Sequence, residues 1–326
     1  GSSLPDLGGL VWSTGKKVSG QMKGQVCHVF DAATCLEELG EIMIVWAKNE
    51  SYTFSEANGL NAYPGLLAPV ARAKAAHRLK VLLEQHSALQ EFGAALTLLD
   101  ALASKLSSSD RSPLRMEELT EQASLAAIVR LVLKCSAVSL SQGPPVSVVE
   151  EHLGLGEALQ TDLVTARELH IVVTMAGRVA APSLPAPGQW LGAVLGRLEV
   201  LAAPQPEQAG EFELAMQSAT AATDLLARRV GMSSAFPPRA LAVGGCVLGL
   251  VAVGAVSAEE ARPQNVCLSL WESLLTLWQG GLAKQDNPTL GLDFGLVAEA
   301  ACCSSADLQD WAFRSAQALH TAVCSN

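Results

Sequence analysis

Prolines divide the second half of this 326-residue chain into pairs of apolar segments. Proline lacks a backbone N–H and has a fixed φ, so it ends one helix and is tolerated in the first turn of the next. We name the first member of each pair type A and the second type B. Type A segments begin near Leu119, Asp162, Phe212 and Asn265, and type B segments begin 26 or 27 residues later, near Val146, Gly188, Arg239 and Gly291. The prolines ahead of the type B segments are Pro144-Pro145, Pro182, Pro185 and Pro187, Pro237-Pro238, and Pro288.

Within these segments apolar residues recur every three or four positions, which is the spacing of a helix that buries one face. From Asp162 the expected buried stripe is Leu163, Ala166, Leu169, Val172 or Val173, and Ala176, with Arg167 and Glu168 turned toward water. In the next segment it is Trp190, Leu191, Val194, Leu195, Leu198 and Leu201, with Arg197 and Glu199 turned toward water. A third stripe is Cys267, Trp271, Leu274 and Trp278, flanked by Leu268 and Leu275.

Composition favours helix over strand. Only four isoleucines are present and aromatic residues make up 5% of the chain, whereas strands are enriched in β-branched and aromatic side chains. Charged residues make up 17%, below the usual ~25%, so much helix surface is expected to lie against other protein. We predict an all-α solenoid of roughly five to seven antiparallel helical hairpins, each about 42–53 residues long and near the size of HEAT and armadillo repeats. A two-domain helical bundle is the alternative.

Three regions are expected along the chain. Residues 1–30 are rich in Gly and Ser and lack the apolar core of a secretory signal, so they are predicted to form a flexible arm. Residues 31–112 hold less regular helical repeats, with one apolar segment from Ala32 to Lys48 and another from about Asn58. Residues 113–326 hold the regular hairpins.

One segment, Ala240 to Val256, raises the question of a membrane span. Its seventeen residues are at the lower limit for a spanning helix, and Ala, Gly and Val predominate over Leu and Phe. A helix in a protein core is also apolar all round, and small residues let two helices pack closely. We therefore predict a buried helix and no membrane span.

The eight cysteines are predicted to be small buried hydrophobic residues. Most lie in apolar segments and none forms a Cys-x-x-Cys pair. A chain of this length forms a large core without disulfides, so an intracellular, reducing compartment is expected. Cys27-His28, with Cys35 nearby, is the pair best suited to a metal, but no second Cys/His cluster accompanies it in the sequence, and no metal site is predicted.

Motifs for nucleotide, zinc-protease or serine-hydrolase chemistry are absent from the sequence. Gly154-Leu155-Gly156 lacks the third glycine of a dinucleotide-binding loop, and Gly280-Gly281 precedes Lys284 without the spacing of a phosphate-binding loop. There is no His-Glu-x-x-His and no Gly-x-Ser-x-Gly. The sequence therefore predicts a protein that is not an enzyme and uses no cofactor or small-molecule substrate, although a catalytic site assembled from distant residues stays open.

The net charge of −10 is concentrated in the regular hairpins. Residues 1–134 carry 13 basic and 14 acidic side chains, whereas residues 135–326 carry 9 and 18. An acidic surface repels nucleic acid, whose binding depends on Lys and Arg. The only dense basic stretch consists of Arg72, Lys74, Arg78 and Lys80. On a helix these side chains can share one broad face, which is either a solvated surface or a contact patch for an acidic partner or RNA.

Two neighbouring segments resemble a known class of repeats. They are Asp162-Leu-Val-Thr-Ala-Arg-Glu-Leu-His-Ile-Val-Val-Thr-Met-Ala-Gly-Arg178 and, after a proline-containing gap, Trp190-Leu-Gly-Ala-Val-Leu-Gly-Arg-Leu198. These Ala- and Leu-rich hairpins resemble the heptatricopeptide and RAP-associated repeats of organellar proteins, over residues 115–323. The resemblance implies a mitochondrial ribonucleoprotein or an RNA-handling role.

The sequence as a whole predicts a non-enzymatic helical-repeat scaffold that binds protein partners, within a large organellar assembly. The high apolar content, the low charge and the absent motifs support this interpretation. The alternative is a mitochondrial protein that associates with RNA or the ribosome through the basic stretch.

Overall fold

The computed structural model describes residues 32–53, 67–108, 112–140, 162–180, 183–233, 236–279 and 290–324. These residues form eleven α-helices, three short 3₁₀ helices and no β-strand, which confirms the all-α class for this part of the chain. The α-helices are α1 (Ala32–Thr53), α2 (Pro69–Gln85), α3 (Phe92–Ser108), α4 (Gln122–Leu140), α5 (Asp162–Thr174), α6 (Pro187–Ala202), α7 (Ala209–Ser233), α8 (Pro238–Ala252), α9 (Leu268–Gln279), α10 (Phe294–Ala300) and α11 (Ser305–Cys324). The 3₁₀ helices are Leu89–Glu91, Glu117–Thr120 and Pro206–Gln208.

Helix starts follow the predicted punctuation. α5 begins at the predicted Asp162, and α6 and α8 begin one residue early, at Pro187 and Pro238. Both prolines lie in the first turn, where a missing N–H removes no helical hydrogen bond. Four further helices, α4, α7, α9 and α10, begin three residues from their predicted starts. The segments predicted near Val146 and Asn58, and the arm predicted for residues 1–30, lie outside the described residues.

Buried apolar side chains form two clusters. The N-terminal core lies among α2 to α5 and contains Leu79, Leu99 and Ile128. The C-terminal core lies among α6 to α11 and contains Trp190 and Trp271. α2 and α3 both contact α7, so the two cores adjoin each other.

The first helix belongs to the second core. Met43 and Trp46 of α1 are buried among the side chains of the C-terminal core. α1 contacts α6 more extensively than it contacts α3. The two contacting helices are far apart in the sequence, so this packing is a long-range tertiary contact.

α8 lies at the centre of the C-terminal core, where it contacts α6, α7, α9 and α11. It is buried along nearly its whole length, as predicted for residues 240–256. Gly245 and Gly249 lie against Thr223 and Ala219 of α7, so the two helices run antiparallel with their backbones close together. Ser218 donates a hydrogen bond of 2.8 Å to the carbonyl of Gly249 across this contact.

None of the described helices combines the length and the apolar character needed to cross a bilayer.

The buried face of α5 is opposite to the predicted one. Leu163, Leu169 and Val173 are 57–62% exposed, whereas Val164 and Ile171 are buried. The predicted stripe for this helix is therefore wrong except at Val172, which is partly buried and packs against the N-terminal core. α5 turns its charged side toward α4 and toward the 3₁₀ helix that precedes α4, because that side forms ion pairs with both.

Those ion pairs involve the two residues predicted to face water. Glu168 lies 3.0 Å from Arg130 and 2.7 Å from Lys134, both on α4. Arg167 lies 3.0 Å from Glu118, and the ion pair lowers the pKa of that carboxyl through its hydrogen bond.

On α6 and α9 the predicted stripes are confirmed except at three positions. Trp190, Leu198, Trp271, Leu274 and Leu275 are buried. Arg197, predicted to face water, is buried, whereas Cys267 and Leu268 at the start of α9 are exposed. Arg197 is buried because its guanidinium binds backbone carbonyls of two other helices. The side chain of Trp278 lies outside the described residues.

Candidate functional site

The predicted basic patch is divided between the surface and the interior. Arg72 is 4% exposed, and its Nε and Nη2 donate hydrogen bonds of 2.8 and 2.7 Å to the carboxylate of Asp100. Its Nη1 donates a third hydrogen bond, of 2.6 Å, to the carbonyl of Gly231. Arg72 thus joins α2, α3 and α7, and its place in the patch is corrected to a buried ion pair.

The other three members of the patch reach the surface of α2. Lys74 and Arg78 are exposed, and Arg78 donates a hydrogen bond of 3.3 Å to the carbonyl of Thr120. Lys80 is partly exposed and lies 3.4 Å from Glu84, one helical turn away. The charge available to an external ligand on this helix is therefore smaller than predicted.

A small cleft lies beside the Arg72–Asp100 ion pair. Its apolar lining includes Leu96, Phe236 and Leu241. Burial raises the pKa of Asp100, and the hydrogen bonds from Arg72 oppose that rise. Because the two charged groups are paired with each other, we assign the ion pair a structural role at the boundary of the two cores.

A second cluster lies where α1, α6, α8 and α11 meet. It consists of Trp46, Glu50, Trp190, Arg239 and Trp311, and we name it the tryptophan–arginine junction. The rings of Trp46 and Trp190 pack edge to face with their centroids 5.3 Å apart. The guanidinium carbon of Arg239 lies 5.4 Å from the Trp190 ring and 5.0 Å from the Trp311 ring. At these distances the cation is attracted by both aromatic faces.

Two arginines bind the carboxyl end of α10. Arg239 donates hydrogen bonds of 3.2 and 2.9 Å to the carbonyls of Ala301 and Cys302. Arg197 donates bonds of 3.1 Å to the carbonyls of Ala300 and Glu299. The last carbonyls of a helix lack partners within it and carry partial negative charge, so the two guanidinium groups satisfy them.

Glu50 is the titratable group of the junction. Its side chain is buried, and its Oε1 accepts a long hydrogen bond of 3.5 Å from the backbone N–H of Arg239 in the first turn of α8. Burial raises its pKa to about 7, against the opposing attraction of Arg239. Its Oε2 has no partner in the structure, nor do the indole nitrogens of Trp46, Trp190 and Trp311.

The amino-acid sequence does not indicate this junction. Its five members come from positions 46 to 311 and lie on four different helices. The sequence predicts Trp190 only as a core residue. It predicts no role for Trp46, Trp311 or Glu50. The one sequence feature that points to the junction is Arg239, a charged residue directly before a long segment without charges.

The described thiols differ in their surroundings. Cys246 is buried in α8, and burial raises its pKa to about 12. Burial also raises the pKa of Cys303, to about 11. Cys267 is exposed just before α9, with its Sγ 3.6 Å from the hydroxyl of Ser269, and this hydrogen bond lowers its pKa. Cys267 is therefore the most reactive of the three.

We expect iodoacetamide to alkylate Cys267 more than about tenfold faster than Cys246, because one pKa unit alone changes the thiolate population tenfold. Mass spectrometry of proteolytic peptides after timed labelling at neutral pH measures both rates. The Cys267→Ser variant should lose the fast modification of its peptide and keep the slow one at Cys246. Equal rates at the two positions in the folded protein would contradict the assigned environments.

Among the described residues, no group of three or more His, Cys, Asp or Glu side chains is arranged to hold a metal ion. Cys27-His28 lies outside the described residues. No protein-family model matches the sequence, and a search of curated proteins gives no significant match.

Proposed function

We propose that the protein is a non-enzymatic helical scaffold that binds other proteins, and that its hairpins stack as in a solenoid. The observation that carries the proposal is the outer face of α5, where Leu163, Leu169 and Val173 are 57–62% exposed. The antiparallel packing of α7 on α8 supports the hairpin arrangement.

The spacing of the exposed face suits a helical partner. Leu169 and Val173 are four residues apart, and Ala166 precedes Leu169 by three, which is the repeat of side chains at helix–helix contacts. Fully burying one large aliphatic side chain is worth about 1.5–3 kcal/mol. Three such side chains on one face therefore offer substantial binding energy to a partner.

The proposal predicts that charges on the outer face of α5 abolish partner binding. Leu169→Glu with Val173→Glu places two carboxylates there, and the matched control is Leu214→Glu with Leu225→Glu, two leucines of α7 that are 39% and 40% exposed. Chemical cross-linking in cells, followed by quantitative mass spectrometry, compares the proteins bound to each variant. We expect the α5 variant to lose, by at least about tenfold, partners that the control keeps.

If both variants retain their partners equally, the outer face of α5 is not the binding surface. Far-UV circular dichroism of both purified variants shows whether they remain folded. Binding of the recovered partner to the purified full chain, with the same difference between variants, then establishes direct contact.

Association with RNA is the second candidate, and the exposed Lys74, His77 and Arg78 on α2 favour it. A mitochondrial location belongs to this candidate through the resemblance to organellar repeats.

If the protein makes two phosphate contacts to single-stranded RNA, its affinity should fall about sevenfold when salt rises from about 50 to 200 mM. Lys74→Glu with Arg78→Glu should reduce binding at low salt, and Arg228→Glu with Arg229→Glu, on exposed positions of α7, is the charge-matched control. Absence of binding at low salt would discard this candidate.

A further inference from the structure

We propose that α1 is a detachable helix whose docking on the C-terminal core is controlled by proton binding at Glu50, so that mildly acidic solution holds it more firmly than mildly alkaline solution. This inference does not depend on the proposed scaffold function. It concerns the attachment of one helix, which is measurable without any partner.

Among the described residues, hydrogen bonds join α1 to α6 near its beginning and to α8 near its end. At its beginning, Nη1 of Arg197 donates a hydrogen bond to the carbonyl of Leu36. In its second half, Met43 and Trp46 supply the buried apolar contacts. Glu50 then places its carboxyl group against the first turn of α8.

The position of Glu50 makes this attachment sensitive to charge. A buried carboxylate needs hydrogen-bond donors to offset the loss of water, and Glu50 has one long bond of 3.5 Å at Oε1 and none at Oε2. The protonated carboxyl group loses far less hydration energy when it is buried. The docked helix therefore favours the neutral form of Glu50.

Arg239, Arg197 and Asp100 on the neighbouring helices all bind groups other than the Glu50 carboxylate. Arg239 of α8 attracts the Glu50 carboxylate, but its guanidinium binds carbonyls and lies against two indole rings. On α6, Arg197 binds the carbonyl of Leu36 at the far end of α1. On α3, Asp100 is bound by Arg72, and Lys105 lies near the end of the helix. Among the described residues, Arg239 is the charged group that lowers the Glu50 pKa.

Charged groups of α1 and α11 complete this environment. Lys48 is exposed on α1, as are the acidic side chains of Glu37, Glu38 and Glu41 nearer its beginning. Asp307 of α11 raises the pKa of the neighbouring Cys303, and Arg239 lowers it.

The direction of the pH dependence follows from the two pKa values of Glu50. The value is about 7 when α1 is docked and 4.5 for the ordinary solvated side chain. At pH values between these two pKa values the docked state binds more protons than the undocked state. Docking is therefore strongest below pH 4.5 and weakens as the pH rises through 7. With these values, docking weakens about tenfold between pH 6 and pH 8.

Hydrogen exchange of the full chain, read by mass spectrometry, tests this inference. A protection factor is the intrinsic exchange rate divided by the observed rate, so the pH dependence of intrinsic exchange cancels. We expect those of α1 to fall about tenfold from pH 6 to pH 8, while those of α8 stay constant. In the Glu50→Gln variant, whose side chain does not ionise, α1 protection should be the same at both pH values.

A second variant covers the case in which Glu50→Gln does not fold. Trp46→Leu removes the edge-to-face contact with Trp190 but keeps the titrating group, so its α1 should be less protected at both pH values with the same tenfold dependence. Unchanged α1 protection in the natural chain would overturn the inference. A tenfold change that persists in Glu50→Gln, or an equal fall in α8, would overturn it as well.

Discussion

Replacing Asp100 by alanine is expected to destabilise the protein by about 3–5 kcal/mol, because the change leaves the guanidinium of Arg72 buried without its counter-charge. Both side chains lie at the boundary of the two cores, 4% and 8% exposed. The carboxylate accepts two hydrogen bonds from one guanidinium, a geometry that makes ion pairs strong. Urea denaturation followed by circular dichroism measures the loss as a lower free energy of unfolding.

Two companion variants separate charge burial from the loss of a side chain. Glu84→Ala breaks the exposed pair with Lys80, whose atoms lie 3.4 Å apart, and should cost less than about 1 kcal/mol. Arg72→Met combined with Asp100→Leu removes both charges and should recover most of the stability that Asp100→Ala loses. An Asp100→Ala variant as stable as Glu84→Ala would show that Arg72 reaches water or another partner.

Replacing Gly249 by alanine is expected to cost about 1–3 kcal/mol or more, because α7 leaves no space for a methyl group. A Cβ at this position would lie 2.5 Å from Cα of Ala219 and 2.5 Å from the carbonyl oxygen of Ser218. Both atoms belong to the backbone of α7, so the two helices must move apart. The hydrogen bond from Ser218 to the Gly249 carbonyl would lengthen with them. Thermal denaturation should show a clearly lower Tm.

Gly192→Ala is the matched control, because Gly192 also lies inside a helix but has no atom within 4 Å of an added Cβ. Alanine is the better helix former by about 0.8–1 kcal/mol, so this variant should be more stable than the natural chain. Opposite signs for the two Gly→Ala changes are the expected result. A Gly249→Ala variant with unchanged stability would mean that α7 and α8 are farther apart than described.

The sequence predicted helix positions well and the exposed faces less well. Helical spacing and the prolines gave the starts of α5, α6 and α8 to within one residue. Both signals are local, since the first turn of a helix is decided by residues next to it. On α5, apolar spacing indicated the wrong face, because Arg167 and Glu168 found partners around α4 that no local pattern contains.

The candidate site was the least predictable part. Arg72 looked like a surface cation because three other basic residues follow it closely, and only the position of Asp100 on the next helix explains its burial. The tryptophan–arginine junction draws on four helices, so no spacing within one segment indicates it. For Glu50, the raised pKa follows from burial against α8, which the chain reaches only when folded.

By itself the sequence determined that the described chain is helical, where α5, α6 and α8 begin, and that the segment around Gly245 is buried, because these depend on backbone propensity and on apolar periodicity along the chain. The tertiary structure decided which face of α5 is covered, that Arg197 enters the core, and that α1 packs on α6. These outcomes depend on desolvation and on partners far away in the sequence. A charged side chain is buried only where the fold supplies enough hydrogen bonds to replace water.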